Sequence, residues 1–193
     1  MRRIGLLQFS RFSPIVAIGA LVLGGGLLAQ EMNLVKLHVD KFIVAGISTR
    51  TSNAIESTTD AKIPAMWQRL YGANLLARIP HRVDDRVVAL YTDYENGKDG
   101  MYTYILGAKV SSDKDLPGEF VAREVVSGQY AMFTEQGGPP PQMTVDLWKH
   151  IWSLEKPGGL DRAYRTDYEV HYGQADDPAK SHVDIYIGLL GKK

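Results

Sequence analysis

From residue 34 onward apolar and polar positions alternate in short runs separated by turn residues, a pattern that predicts strands rather than long helices. Leu34-Val35-Lys36-Leu37-His38-Val39 and Phe42-Ile43-Val44-Ala45-Gly46-Ile47 predict the first two. The period then lengthens. Over 63–71, Met66, Trp67 and Leu70 recur at helical spacing, and Pro64 suits a first helical turn. Strands follow at 87–91 and 101–110, joined through Asn96-Gly97-Lys98-Asp99-Gly100, a hairpin sequence. Pro117-Gly118 marks a break near the middle.

Past that break the order repeats. Residues 120–126 predict a strand, and Gly137-Gly138-Pro139-Pro140-Pro141 a loop. Residues 143–154 predict a helix with Leu147, Trp148, Ile151 and Trp152 on one side, and 164–172 and 183–190 predict two closing strands. Overlaying the halves sets Met66-Trp67-Gln68-Arg69-Leu70 on Leu147-Trp148-Lys149-His150-Ile151. It also sets Tyr102-Thr103-Tyr104-Ile105 near Asp184-Ile185-Tyr186-Ile187. Each half reads strand, helix, strand, strand. The expected fold is therefore α+β: duplicated β-α-β-β units share one antiparallel sheet, with two main helices on one side and a ligand cavity at the seam.

The first thirty residues form a separate object. Arg2, Arg3 and Arg11 precede nineteen uncharged residues that end before Glu31, and Ala29 supplies a small residue at a plausible cleavage point. Basic, then apolar, then small is the layout of a secretory signal, and the uncharged stretch is also about long enough to span a thin bilayer. Residues 1–30 are thus expected to be a signal peptide or an N-terminal membrane anchor, and 34–191 an exported (periplasmic) or membrane-tethered domain. Contact with a membrane is expected only through that leader.

Composition narrows the chemistry. After the leader, 19 basic side chains stand against 22 acidic ones, which lacks the basic excess of a phosphate-backbone binder, so no nucleic-acid partner is expected. The chain has no cysteine, which excludes disulfides, thiolate metal sites and a cysteine nucleophile. There is no Gly-x-Ser-x-Gly elbow, no phosphate-binding glycine loop and no His-Glu-x-x-His. His38, His81, His150, His171 and His182 make no short ligand spacing. Asp84-Asp85 and Asp176-Asp177 read as turn residues. No metal or cofactor is expected.

The aromatic residues stand out. Ten tyrosines and three tryptophans fall largely on predicted strands and helix faces. Tyr102 and Tyr104 share one strand face, and Trp67 and Trp148 hold matching places in the two helices. Each ring could be core alone, but a buried tyrosine hydroxyl needs a partner. Rings gathered around one acid would make a cage for a flat or cationic organic molecule. The acid to consider is Glu169, in Tyr168-Glu169-Val170-His171-Tyr172. On a strand between bulky residues it suits an exposed face as well as a cage floor.

Longer stretches carry a resemblance. In the second half these are Gly128-Gln129-Tyr130-Ala131-Met132-Phe133, Gly137, Trp148-Lys149-His150-Ile151-Trp152 and Tyr168-Glu169-Val170-His171-Tyr172. In the first half they are Trp67, Leu70-Tyr71-Gly72, Tyr91 and Tyr102-Thr103-Tyr104-Ile105-Leu106-Gly107-Ala108-Lys109-Val110. Together they resemble the bacterial gyrase-inhibitor-like (GyrI-like) small-molecule-binding family, the effector-binding domain of AraC-type and multidrug-responsive activators. The resemblance spans roughly 36–190. It departs at the closing strand, where Ile187-Gly188-Leu189 replaces the family's usual Ile-Pro-Ile.

The resemblance implies a carboxylate at the base of an aromatic cavity that accepts cationic, lipophilic compounds. That carboxylate maps onto Glu169, and the aromatic wall onto Trp67, Tyr91, Tyr104 and Trp148. The function expected is a stand-alone effector-binding protein that sequesters or senses amphipathic or cationic organic compounds, and not an enzyme. Two alternatives stand beside it: a module that binds a protein partner in the manner of a gyrase inhibitor, and a hydrolase of strained alkylating natural products.

Overall fold

Tyr168 packs its ring against Phe42 at 5.2 Å and against Tyr130 at 5.7 Å, although these residues lie on strands far apart in the sheet. The computed structural model describes residues 34–172 and 180–191. Its strands are β1 (Val35–Val39), β2 (Phe42–Thr51), β3 (Val87–Thr92), β4 (Tyr102–Val110), β5 (Val121–Val125), β6 (Gly128–Gln136), β7 (Arg162–Tyr172) and β8 (His182–Leu189). Helices α1 (Asn53–Glu56), α2 (Ile63–Gly72) and α3 (Pro140–Leu154) complete the main elements. One eight-stranded sheet runs β1-β6-β8-β7-β3-β4-β2-β5, and every pairing is antiparallel.

That order is a palindrome about the β7–β3 junction. β4 lies between β3 and β2 as β8 lies between β7 and β6, so the expected α+β duplication is present. Trp67 and Trp148 occupy matching places, each on the helix of its half. The two halves are tied by a ribbon. Val39 faces Gly128 in one pairing and Phe42 faces Val125 in the other, so the register continues unbroken around the bends at 40–41 and 126–127. Flat strands lie about 4.8 Å apart, which would set β7 and β2 about 14 Å from one another. Contact between Tyr168 and Phe42 therefore requires the sheet to curl. Val44, Leu90, Ile105, Val125 and Tyr130 bury together inside that curl.

Both helices lie on the other face. Met66 and Leu70 of α2 pack on Ala45, Ala89 and Leu106, whereas Leu147 and Ile151 of α3 pack on Phe133, Ile185 and Ile187. Each such aliphatic side chain, fully buried, contributes roughly 1.5–3 kcal/mol. The start of α2 is capped from a distance. Lys62 offers no side-chain cap, and Glu56 instead accepts the N–H groups of Lys62 and Ile63, both at 3.1 Å. A carboxylate there also complements the helix dipole.

Gly46 and Gly107 face each other across β2 and β4. A Cβ on Gly107 would lie 1.9 Å from the Ala45 carbonyl oxygen, so the strands approach closely here because neither position carries a side chain.

Three expectations need correction. The strand predicted at 120–126 is only the edge strand β5; the second half's own first strand is β6, where Tyr130, Ala131 and Phe133 are buried on alternating faces and leave no polar period to read. The overlay of Tyr104 on Tyr186 is one residue out. Tyr104 faces α2 while Tyr186 joins the cluster on the opposite face, and a single slip exchanges the faces of a strand. The true counterpart is Ile185, which faces α3. Gly107 then matches Gly188, at the spacing that relates Trp67 to Trp148. Third, the chain between β2 and β3 is more helical than predicted, with α1 and a 3₁₀ turn at Leu75–Arg78 on either side of α2.

The leader at 1–30 and Asp176-Asp177 lie outside the described residues. Among the described residues no helix is long and apolar enough to cross a membrane.

Candidate ligand-binding site

β3 and β7 meet at the pseudo-twofold axis, and the residues that turn toward the helices there build the site. Tyr91 pairs with Tyr104 across β3–β4 as Glu169 pairs with Ile185 across β7–β8. Tyr91 and Glu169 are thus the same position in the two halves. They meet at the seam, where the Tyr91 hydroxyl donates to Glu169 Oε1 at 2.6 Å.

Glu169 is 2% exposed and accepts two further hydrogen bonds. Trp148 Nε1 donates to Oε1 at 2.6 Å, and His171 Nε2 stands 2.8 Å from Oε2. Burial opposes the carboxylate's charge, yet the bonds from His171, Trp148 and Tyr91 outweigh it and hold the carboxyl below its ordinary value. Glu169 is an ionised group inside the molecule, not an exposed strand acid. It is also not an unsatisfied charge awaiting a ligand.

The rings form a continuous lining. Tyr91 lies 5.1 Å from Tyr104, 5.1 Å from Trp148 and 5.5 Å from Tyr102, in tilted or edge-on contacts. Trp67 Nε1 donates to the Tyr104 hydroxyl at 3.0 Å. Burial, reinforced by the Glu169 charge, pushes the Tyr91 and Tyr104 phenols well above their ordinary range, so both remain neutral. Each helix adds a second ring one turn along: Tyr71 beside Trp67 at 5.9 Å and Trp152 beside Trp148 at 6.0 Å. Those outer rings are exposed and form the open side. The cavity they open onto measures about 580 Å³, the size of a drug-like molecule.

A second buried network lies beside the carboxylate. Three extra residues interrupt the β7–β8 register between Arg162 and Asp167, and Tyr164 there takes a left-handed φ of 52°. The irregularity brings Arg162 back against Asp167, at 2.8 Å through Nη2 and 3.1 Å through Nε. Asp167 also accepts from the Tyr94 hydroxyl at 2.7 Å and the Gly188 N–H at 2.8 Å. Arg162 reaches Glu155 at 2.7 Å and lies over the rings of Tyr164 and Trp148. Three full charges are thereby held with every described buried side-chain polar atom bonded.

Glu169, Trp67, Tyr91, Tyr104 and Trp148 all line this one cavity. Reading the sequence alone missed Tyr94, Arg162, Asp167 and His171. Its usable signal was a row of polar residues, Asp167, Glu169 and His171, alternating along what is a central strand. Such strands are expected to be apolar on both faces. No group of three or more His, Asp or Glu residues placed to hold a metal exists among the described residues.

Comparisons with known proteins agree with this architecture. Residues 37–189 match the family described as Cass2, integron-associated effector binding protein. YobU of Bacillus subtilis (strain 168), described as a candidate transcriptional regulator, is 33% identical over 153 residues, covering 79% of this chain and 94% of its own. The crystal structure of an integron cassette protein, VCH_CASS2, from the mobile metagenome of Vibrio cholerae is 32% identical. It superposes with a TM-score of 0.66 over 81% of this chain and 95% of that one. SAV2435, solved bound to tetraphenylphosphonium, shares the fold at a TM-score of 0.67 and 16% identity, over 83% of this chain and 95% of that one.

Proposed function

Since the chain belongs to the Cass2 family of integron-associated effector binding proteins, within the GyrI-like fold, we propose that its ligand is an amphipathic organic cation, held in the aromatic cavity against Glu169. One observation carries this reading: an ionised carboxylate, 2% exposed, at the seam of a ring-lined cavity. A neutral apolar ligand would need the rings but not the acid. An anion would meet Glu169 unfavourably. A cation gains from both, through charge at short range and through ring faces worth about 0.5–2 kcal/mol each. The tetraphenylphosphonium bound by SAV2435, a protein of similar fold, is a lipophilic cation and supports the same reading.

We read the site as one that binds and releases rather than transforms. A general base needs a carboxyl whose proton affinity is raised, and Glu169 is held in the opposite direction by three donors. Thermal-shift screening of the full chain with tetraphenylphosphonium and other organic cations, set beside neutral molecules of similar shape, tests this. Stabilisation confined to the cations supports it. Equal stabilisation by the neutral set contradicts it. The leader at 1–30 adds the proposal that binding takes place outside the cytoplasm, and fusion of that segment to a reporter active only after export tests it.

A further inference from the structure

The cavity already contains a group able to act as a cation toward Glu169. His171 sits two residues along β7 on the same face, its Nε2 is 2.8 Å from Glu169 Oε2, and its side chain is 15% exposed. Trp67 holds it there, with ring centroids 4.8 Å apart and planes at 69°. A neutral imidazole bonded in this way leaves the carboxylate's full charge to act on a ligand. An imidazolium turns the pair into a neutral dipole and sets a positive charge beside any incoming cation. The two protonation states therefore present two different cavities.

We propose that His171 is a specificity-determining residue, an internal counter-ion to Glu169 whose proton is released to solvent when an organic cation binds. The inference rests on the cation reading above and deepens it. Among the described residues, no other group lining the cavity has the same relation to the carboxylate. Tyr91 from β3 and Tyr104 from β4 stay neutral because burial pushes their phenols far up, and the Tyr71 phenol of α2 is pushed up as well. Tyr94 and Tyr102 are raised in the same way. Arg162 is committed to Asp167 and Glu155, and Glu56 to the start of α2. Lys98 reaches the cavity from the β3–β4 loop and makes no bond to Glu169. Helix α3 contributes tryptophans but no ionisable group near Glu169. The one other imidazole on the cavity is His182 of β8, whose Nε2 is 2.9 Å from Asp184 instead.

Exchange of one proton for one cation has a fixed signature. Affinity for the cation rises with pH by at most about tenfold per pH unit, then levels off once His171 is neutral. A neutral ligand shows no such slope. The test uses the full chain titrated calorimetrically with tetraphenylphosphonium from about pH 5 to about pH 8.5, in buffers of different ionisation enthalpy. Fluorescence quenching of the tryptophans gives a second measure of affinity. The expected result is tighter binding as pH rises, with a fraction of a proton released per cation on the acidic side. His171→Gln should bind with a flat pH profile and release no proton. If that variant does not fold, proton release by the wild-type chain still decides. Binding of tetraphenylphosphonium with equal affinity at all pH values and no proton release overturns the counter-ion role and leaves the cation reading standing. A pH slope that survives in His171→Gln and vanishes in His182→Gln assigns the proton to the wrong imidazole, and also overturns it. No binding at any pH overturns both.

Discussion

The two halves share a fold and divide the chemistry. Trp67 and Trp148 stand at the same place on α2 and α3, and each indole N–H reaches into the sheet. In the first half it finds a neutral phenol, Tyr104; in the second it finds a carboxylate, Glu169. The seam repeats the contrast. Tyr91 in one half is Glu169 in the other, and Ala89 in one half, paired with Leu106 as Asp167 is with Ile187, is Asp167 in the other. The first half supplies most of the rings and the second supplies the buried charge. A duplication preserves the packing rules of both units, because each needs its helix seated on its own three strands. Nothing in packing requires the acids. They are accommodated only because donors surround them, and that cost marks the positions at which symmetry has been given up for chemistry.

The sharpest way to break the comparison is to attack what both halves need. Gly107→Ala places a methyl group 1.9 Å from a backbone oxygen in the first half, whereas its counterpart Gly188→Ala meets the Thr166 carbonyl oxygen at 2.7 Å. Denaturant unfolding should show a loss of about 4 kcal/mol or more for the first and a clearly smaller loss for the second. Equal losses would contradict the tighter approach at β2–β4.

Next comes the charge that only one half carries. Asp167→Ala removes the carboxylate that accepts two hydrogen bonds from Arg162, whose side chain is 4% exposed, and leaves it Glu155 and the Tyr94 hydroxyl. The expected loss is about 3 kcal/mol in the same measurement. A neutral outcome would show that the Arg162 network is not structural.

The tryptophans then sharpen the contrast itself. Trp148→Phe deletes a donor to a buried carboxylate and should cost about 2 kcal/mol. Trp67→Phe deletes a bond to a phenol and should cost about 1 kcal/mol. The reverse order would mean that the two indoles are placed by packing alone.

The smallest effect is one of pH. Because the folded Glu169 carboxyl lies below its ordinary 4.5, its charge stabilises the fold fully above that value. That stabilisation fades as pH falls through the folded value. From about pH 6 to about pH 3 the wild-type chain should therefore lose more stability than Glu169→Gln. Parallel losses would remove the three-donor account of Glu169. At neutral pH the same substitution should destabilise the fold by about 1–3 kcal/mol, since an amide N–H₂ would face groups that already donate.

Much of this was legible in the sequence, and the misses have physical causes. Met66, Trp67 and Leu70 against Leu147, Trp148 and Ile151 revealed both helices, because a buried helical stripe repeats at a period that no strand shares. Strand β6 escaped because both of its faces are buried. The overlay slipped because Tyr104 and Tyr186 look alike in the sequence, whereas faces are set by register. Glu169 and four rings could be named from their motifs. His171 sat inside the same motif, but its importance depends on a distance to Glu169 and on Trp67 behind it, and spacing alone shows neither. Arg162 and Asp167 meet only through an irregular strand, which leaves no periodic trace.

The central claim is that the one half's carboxylate gives the shared cavity its preference for cations. Titration of the full chain and of Glu169→Gln with tetraphenylphosphonium, and with a neutral triphenylphosphine oxide of similar shape, tests it most directly. Loss of the carboxylate should weaken the cation by about 10- to 100-fold, as expected for a charge interaction of about 1.4–2.8 kcal/mol, while the neutral compound changes by less than about threefold. Equal affinity of both proteins for the cation would contradict the claim and leave Glu169 a structural acid.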